Sequence, residues 1–252
     1  MDGYGVLPVR LTAFLIGLVL LASRALAAPA FVQTTNTNTG GTSGAAATAA
    51  FGSNVTAGNT IFVTATDKAT TDTITLAYSS GTATITPVVM IGNPSTSSGQ
   101  TSVKGFFVVL TTGSLTVQAT PGTSVSVSAI AQEFSGVGGL DQHLSGTKTV
   151  SGGLITSDSV TTTGPGDLII AWCGAASSGS PTSGTGFTNG GTANQSTNVR
   201  TAIESLVRSG PGAQTATFSV ISGTWQMGIV AFLPAGAGFP VPLGKAQAGA
   251  GV

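Results

Sequence analysis

Ser124-Val125-Ser126-Val127-Ser128-Ala129-Ile130-Ala131-Gln132-Glu133-Phe134 is the stretch that decides the fold class of this chain. Its first six residues alternate strictly, with Val125, Val127 and Ala129 on one side and serines on the other. A period of two belongs to an extended strand, whose successive side chains point to opposite faces. At Ile130 the apolar parity crosses over, to Ile130 and Phe134. Such a shift marks a β-bulge or a strand entering a core with two sides.

The same period recurs outward in both directions. Residues 73–78 place Ile74, Leu76 and Tyr78 on one face. The longer apolar run 103–110 reads as a central strand, buried on one face and partly on the other. Further strands are expected near 47–51, 61–63, 82–85, 88–91, 115–117, 159–163, 168–173, 199–207, 216–220 and 225–233. Residues 92–99, 135–153 and 177–191 read as loops, because Gly, Ser and Pro punctuate them. Beyond the N-terminus no segment shows a three-to-four-residue apolar period, and no fixed-length repeat of the propeller or solenoid kind is visible. The expected fold is all-β, a single antiparallel β-sandwich of jelly-roll-like type.

Charged residues make up 6% of the 252-residue chain, against about 25% in an average soluble domain. Polar surface therefore falls to Thr, Ser, Asn and Gln. Thr suits strand surfaces, since its branched side chain fits the pleat while its hydroxyl faces water. Nothing forms a cationic face, which argues against tracking a phosphate backbone or an anionic membrane. Cys173 is the only cysteine, so no intrachain disulfide can form. Burial and hydrogen bonding are expected to hold the fold.

The N-terminus carries a different signal. Arg10 precedes the apolar run 11–21, and small residues lead to Ala25-Leu26-Ala27. A charged start, a short apolar run and an A-x-A site form the pattern of a secretory signal. The run is too short to span a bilayer, which takes about 20 residues. Cleavage after Ala27 would remove Arg10, Arg24 and Asp2, leaving six basic against seven acidic residues. The expected organisation is a signal peptide at 1–27, a Thr/Asn-rich lead-in at 28–44 and a β-sandwich domain at 45–234. A Gly/Ala/Pro-rich disordered tail is expected at 235–252. The expected location is extracellular or at the cell surface.

Five stretches occur in a familiar order: VTAGNTIFV (55–63), SVSAIAQEFSGV (126–137) with LDQ (140–142), TTTGPGDLIIAW (161–172), GTGF (184–187) and GTWQMGIVAFLPA (223–235). In these the chain resembles uncharacterised β-sandwich domains that recur in secreted bacterial surface proteins and phage structural proteins. The likeness covers roughly residues 30–235. It implies an architecture and carries no catalytic motif.

The residues able to do chemistry are few. His143 is the only histidine, which excludes a two-His metal site. Asp141 lies two residues before it, but no G-x-S-x-G elbow holds a nucleophile. Glu133 and Glu204 could form the carboxylate pair of a glycosidase, which needs a separation of about 5–9 Å. Glu133 could instead be a partly buried acid paired with Arg200 or Arg208. Asp67, Asp72, Asp141, Asp158 and Asp167 offer oxygens for calcium, but no D-x-D-x-D-G loop gathers them. Asp167 follows Gly164-Pro165-Gly166 and is expected to cap that turn. Cys173 reads as a buried small hydrophobe and Trp225 as core. No catalytic, cofactor or metal site is therefore expected.

These readings converge on a secreted, non-catalytic structural or adhesive module, such as a self-assembling filament or appendage subunit. A carbohydrate-binding module, a phage virion protein and, more distantly, a glycan-active enzyme are the alternatives. Lys104 is the only lysine in an expected strand, so sheet edges lack the charges that normally guard them. Residues 28–39 are the candidate for strand addition to a neighbour's sheet.

Overall fold

The computed structural model describes residues 27–37, 45–69, 71–92, 95–97, 99–144, 151–176, 179–195 and 199–236. The expected signal segment up to residue 26 and the tail beyond residue 236 lie outside the described residues. The first half of the chain forms β1 (Ala30–Thr37), β2 (Ala47–Ala50), β3 (Thr60–Asp67), β4 (Ile74–Gly81) and β5 (Val89–Met90), followed by β6 (Ser95–Ser97), β7 (Gln100–Val108), β8 (Leu115–Pro121) and β9 (Val127–Ser135). The second half forms β10 (Val137–Leu144), β11 (Ser151–Thr156), β12 (Val160–Thr162), β13 (Leu168–Ala176) and β14 (Thr182–Ser183), then β15 (Thr188–Gln195), β16 (Val199–Val207), β17 (Gly212–Gln214) and β18 (Thr217–Pro234). The fold is all-β and its pairings are antiparallel, as the alternation requires.

The sandwich has more than one pair of sheets. Strands β1-β9-β3-β7-β5, with β6 also on β7, form one sheet, and β2-β8-β4 form another that covers its outer face. Strands β10-β18-β13-β16-β15 form a third sheet. The start of β18 turns away to pair with β11 and β14, and β12 pairs with β17. Among the described residues, buried apolar side chains group into three clusters that match this layering. One lies between the first two sheets and joins Ile61, Phe107 and Val127 to Leu115 and Leu76. The second lies under the outer strands of the second half and joins Ile169, Trp225 and Met227 to Phe218 and Ile155. The third fills the space between the two central sheets and joins Phe62, Ile130 and Phe134 to Ile170, Trp172 and Phe232.

The two halves share one strand order. In the first, the opening strand pairs with the closing strand, which pairs with β3, then β7, then β5. In the second, β10 pairs with the end of β18, which pairs with β13, then β16, then β15. The three-stranded set β2-β8-β4 likewise corresponds to β11, the start of β18, and β14. One irregularity recurs: β1 shifts register between Phe31, opposite Phe134, and Gln33, and β10 between Leu140, opposite Phe232, and Gln142, while β10 has a further shift between Val137 and Gly139. Sequence reading found no repeat because topology recurs here while residue identity largely does not.

β9 shows why its parity changes. Its register with β3 is unbroken from Thr60 opposite Phe134 to Asp67 opposite Val127, so it carries no bulge against that strand. Val127, Ala129 and Ala131 face the first cluster, while Ile130 and Phe134 face the third. The strand is buried on both sides, and its pattern reports two cores.

Four expected features are corrected, the first being the loops at 92–99 and 177–191, which hold β6, β14 and the start of β15. Residues 135–153, read as a loop, contain β10 and the start of β11. Glycines at 138 and 139 gave no apolar signal, yet Gly138 is needed because a Cβ there would strike the Pro234 carbonyl. The strands expected at 216–220 and 225–233 are one strand, β18, which changes sheets along its length. Lys104 guards no edge: β7 lies inside its sheet, and the lysine is 1% exposed.

Candidate functional site

In a chain this poor in charge, the buried ionisable groups are where chemistry could reside. Asp67, Lys104, Glu133, Asp167 and Glu204 are all buried. Each needs hydrogen bonds or a change of protonation, because burying a bare charge is costly.

Glu133 sits near the end of β9 on the face of Val127, Ala129 and Ala131. Its Oε2 accepts from Gln33 Nε2 at 2.6 Å, and its Oε1 accepts from Thr56 N at 2.8 Å and Asn59 Nδ2 at 2.7 Å. The carboxylate thereby ties β1 and the turn before β3 to the central strand. The expected partner Arg208 instead donates from Nη1 to Gln214 Oε1 at 2.9 Å. Neutral donors from β1 and the turn before β3 hold the Glu133 carboxyl.

Glu204 has the opposite orientation. It lies on β16 on the face of Ala202, toward the second cluster. Its Oε2 accepts from Gly184 N at 2.8 Å, and its Oε1 has no donor. Burial pushes its pKa up to about 7. Burial, and then the charge of Glu204, raise the Cys173 thiol well above its ordinary value. That suppresses the thiolate a nucleophile would need. Glu133 and Glu204 thus face opposite outer layers, with the two central sheets between them. Packed sheets stand about 10 Å apart, so these acids do not form the close pair that glycoside hydrolysis requires.

Asp67 and Asp72 are brought together. Asp67 Oδ1 accepts from Ala69 N at 3.0 Å and Thr101 N at 3.1 Å, while Oδ2 has no donor. Burial, followed by the facing Asp72 carboxyl, raises Asp67 to about 7. Spacing alone could not reveal this pair, because the chain between the two residues must fold back to bring them face to face.

Asp167 caps its turn as expected, its Oδ2 accepting from Thr163 N at 3.0 Å and Gly164 N at 3.2 Å. Asp141 accepts from Thr163 Oγ1 at 3.3 Å, and burial, then the charge of Asp167, hold its pKa up. His143 lies on β10 opposite Val230, and its side chain is outside the described ones. Asp158 accepts from Ser157 Oγ through its backbone carbonyl. Trp225 is fully buried in the second cluster, as expected.

Lys104 projects between the central sheets, its Nζ 5.2 Å from the Trp172 ring centroid. Burial pushes its pKa down to about 8. The ring face offers the cation a partial substitute for water. Sequence reading missed this role because a lysine in a strand normally signals a surface.

The N-terminal segment joins its own sheet. β1 pairs with β9 from Ala30 opposite Ser135 to Thr37 opposite Ala129, and it is the outermost strand on that side. Phe31 stacks edge-on against Phe134 at 6.0 Å while remaining 47% exposed. Among the described residues no helix is long and apolar enough to cross a membrane, and no group of three or more His, Cys, Asp and Glu could hold a metal.

No protein family, curated protein or solved structure matches this chain.

Proposed function

We propose that this protein is a secreted, non-catalytic structural module that assembles at a cell or particle surface by adding strands at the β1 edge. The observation that carries this reading is β1 itself. It is an eight-residue strand without a charge, and it pairs on one side only. Phe31 and Val32 stand exposed there, at 47% and 44%. An edge of unpaired N–H and C=O groups without lysine or proline is a template for another strand. The N-terminal secretion pattern, and the resemblance of the motif order to surface and virion β-sandwich domains, support an extracellular setting.

Size-exclusion chromatography with light scattering, together with negative-stain microscopy of the mature protein, tests the proposal. Wild type is expected to form multimers or filaments. Val32→Lys combined with Asn36→Lys places two charges on exposed positions of β1 and is expected to give folded monomers. A wild-type protein that stays monomeric at high concentration refutes assembly. A double variant that assembles unchanged moves the contact away from β1. Retention of monomers on a glycan array would replace this reading with carbohydrate binding.

A further inference from the structure

Three segments converge where β1 opens. Ala27 bridges Ala235 in antiparallel fashion, Ala235 N donates to Gly136 O at 2.7 Å, and a Cβ on Gly136 would strike the carbonyl oxygens of Ala27 and Ala28. β1 begins three residues after Ala27, and the chain leaves β18 beside that start. Gly236 then takes φ +89°, a left-handed conformation that favours glycine. From this corner β1 runs with its outer side unpaired, its first three residues exposed and no charge along its eight residues. Phe31 and Val32 supply exposed apolar surface at the end nearest the turn.

The sequence after the turn is Ala237-Gly238-Phe239-Pro240-Val241-Pro242-Leu243. In an extended segment, side chains and backbone N–H and C=O groups both alternate with a period of two. Phe239, Val241 and Leu243 would then share one face and present their N–H and C=O groups to one side. Pro240 and Pro242 would fall on the other side, where each removes the donor that a further strand would need. No other two prolines of the chain stand at this spacing. A strand of this pattern pairs along one edge and closes the other. Phe31 lies four residues on from Ala27, and Phe239 lies four residues on from Ala235. At about 3.3 Å per residue, a chain that turns back at Gly236 reaches the first residues of β1 and can run parallel to it. We propose that residues 239–243 cap the β1 edge of their own chain, with Phe239, Val241 and Leu243 bonded to it and the two prolines facing outward. Assembly through β1 then requires the cap to leave. Control of assembly rests on the role proposed above for β1, whereas the capping contact stands without it.

Hydrogen exchange and light scattering on three forms of the mature protein test the cap: the full chain, a chain ended at Gly236, and full-length Val241→Lys, which breaks the apolar face of the cap. Exchange is read in dilute monomer, where no neighbour covers β1. The outward amides of β1 are expected to exchange about tenfold more slowly in the full chain than in the other two, as a cap present in about nine molecules of ten requires. Only the uncapped fraction is competent to assemble, so the shortened chain and Val241→Lys are expected to assemble at about a tenth of the wild-type concentration. Pro240→Thr combined with Pro242→Thr keeps the pairing and restores the outer donors. Its β1 amides are expected to stay protected while it assembles as readily as the shortened chain. Val241→Lys alone decides the matter if the shortened chain does not fold. Equal exchange of β1 in the full chain and in these variants overturns the cap. Loss of assembly on shortening also overturns it, by making residues 239–243 a strand donated to the next copy. Tail-dependent protection in proteins that never assemble upholds the cap and refutes assembly through β1.

Discussion

Replacing Glu204 with glutamine tests whether a buried ionisable carboxyl is a standing cost to this fold. The group is fully buried, with Oε2 bonded to Gly184 N at 2.8 Å and Oε1 without a donor. Burial holds its pKa near 7 in the folded chain, against an ordinary value of 4.5. Each pKa unit is worth about 1.4 kcal/mol, so ionisation costs the folded state about 3 kcal/mol relative to the unfolded chain. Below pH 4.5 both states hold the proton and no difference arises. Between pH 4.5 and 7 the unfolded chain releases its proton first, so stability falls as pH rises. Above about pH 7 the loss is complete. Glutamine keeps the shape and an acceptor for Gly184 but cannot ionise. Any fixed cost of the buried amide is the same at each pH, so the informative quantity is the change with pH. Urea denaturation followed by tryptophan fluorescence at pH 4 and pH 8.5 measures it. The stability of Glu204→Gln relative to wild type is expected to rise by about 3 kcal/mol between the two. Comparing the variant with wild type cancels the titration of Asp67 and Asp141, which are also held up. A difference that does not change with pH refutes the assignment.

Further outcomes follow from packing and polar satisfaction. Glu133→Ala removes the acceptor of Gln33, Thr56 N and Asn59 together, and is expected to cost about 3 kcal/mol in urea denaturation; a loss below about 1 kcal/mol would mean that water replaces the carboxylate. Gly228→Ala would drive a methyl group into the Trp172 ring, with an expected loss of about 1–3 kcal/mol and an altered near-ultraviolet circular-dichroism band. An unchanged band and midpoint would show that the ring yields freely. Trp225→Ala should cost about 3–5 kcal/mol by opening a cavity in the second cluster, and a neutral result would contradict its burial. Mass spectrometry of the exported protein is expected to find Ala28 as its first residue; an extracellular product that keeps residues 1–27 would reject the cleavage site.

The pseudo-repeat changes how the central layer is understood. Phe62 packs against Trp172 at 5.9 Å and edge-on against Phe232 at 6.4 Å, and Phe106 meets Phe232 at 5.3 Å. These rings join the two halves at one end of the layer. Farther along, Ser128 Oγ and Thr201 Oγ1 lie 2.6 Å apart, and Gln226 Nε2 donates to Gln100 O at 2.9 Å. Buried polar pairs of this kind fix which side chains meet, because a shifted packing would leave them unsatisfied. The link between halves is equally constrained. Gly136 has φ +68°, and a Cβ there would strike the carbonyl oxygens of Ala27 and Ala28.

The sequence by itself determined the local facts of this protein. Alternation and apolar runs located β3, β4, β7, β8, β9, β13 and β16 to within a few residues. The change of parity at Ile130 allowed a bulge or a strand with two cores, and the unbroken register with β3 selects the second. The Gly164-Pro165-Gly166 turn announced the role of Asp167, and the apolar company of Trp225 announced a core position. Each depends on neighbours along the chain, which is what a period of two can report. Tertiary structure alone decided which strand pairs with which, since sheet pairing joins residues far apart in sequence. It placed Glu133 and Glu204 on opposite outer faces although both lie in strands of similar pattern. It put Lys104 over Trp172 and set Asp67 against Asp72. It also revealed two halves with one strand order, because register and topology can recur wherever burial and backbone pairing are satisfied, whatever residues satisfy them.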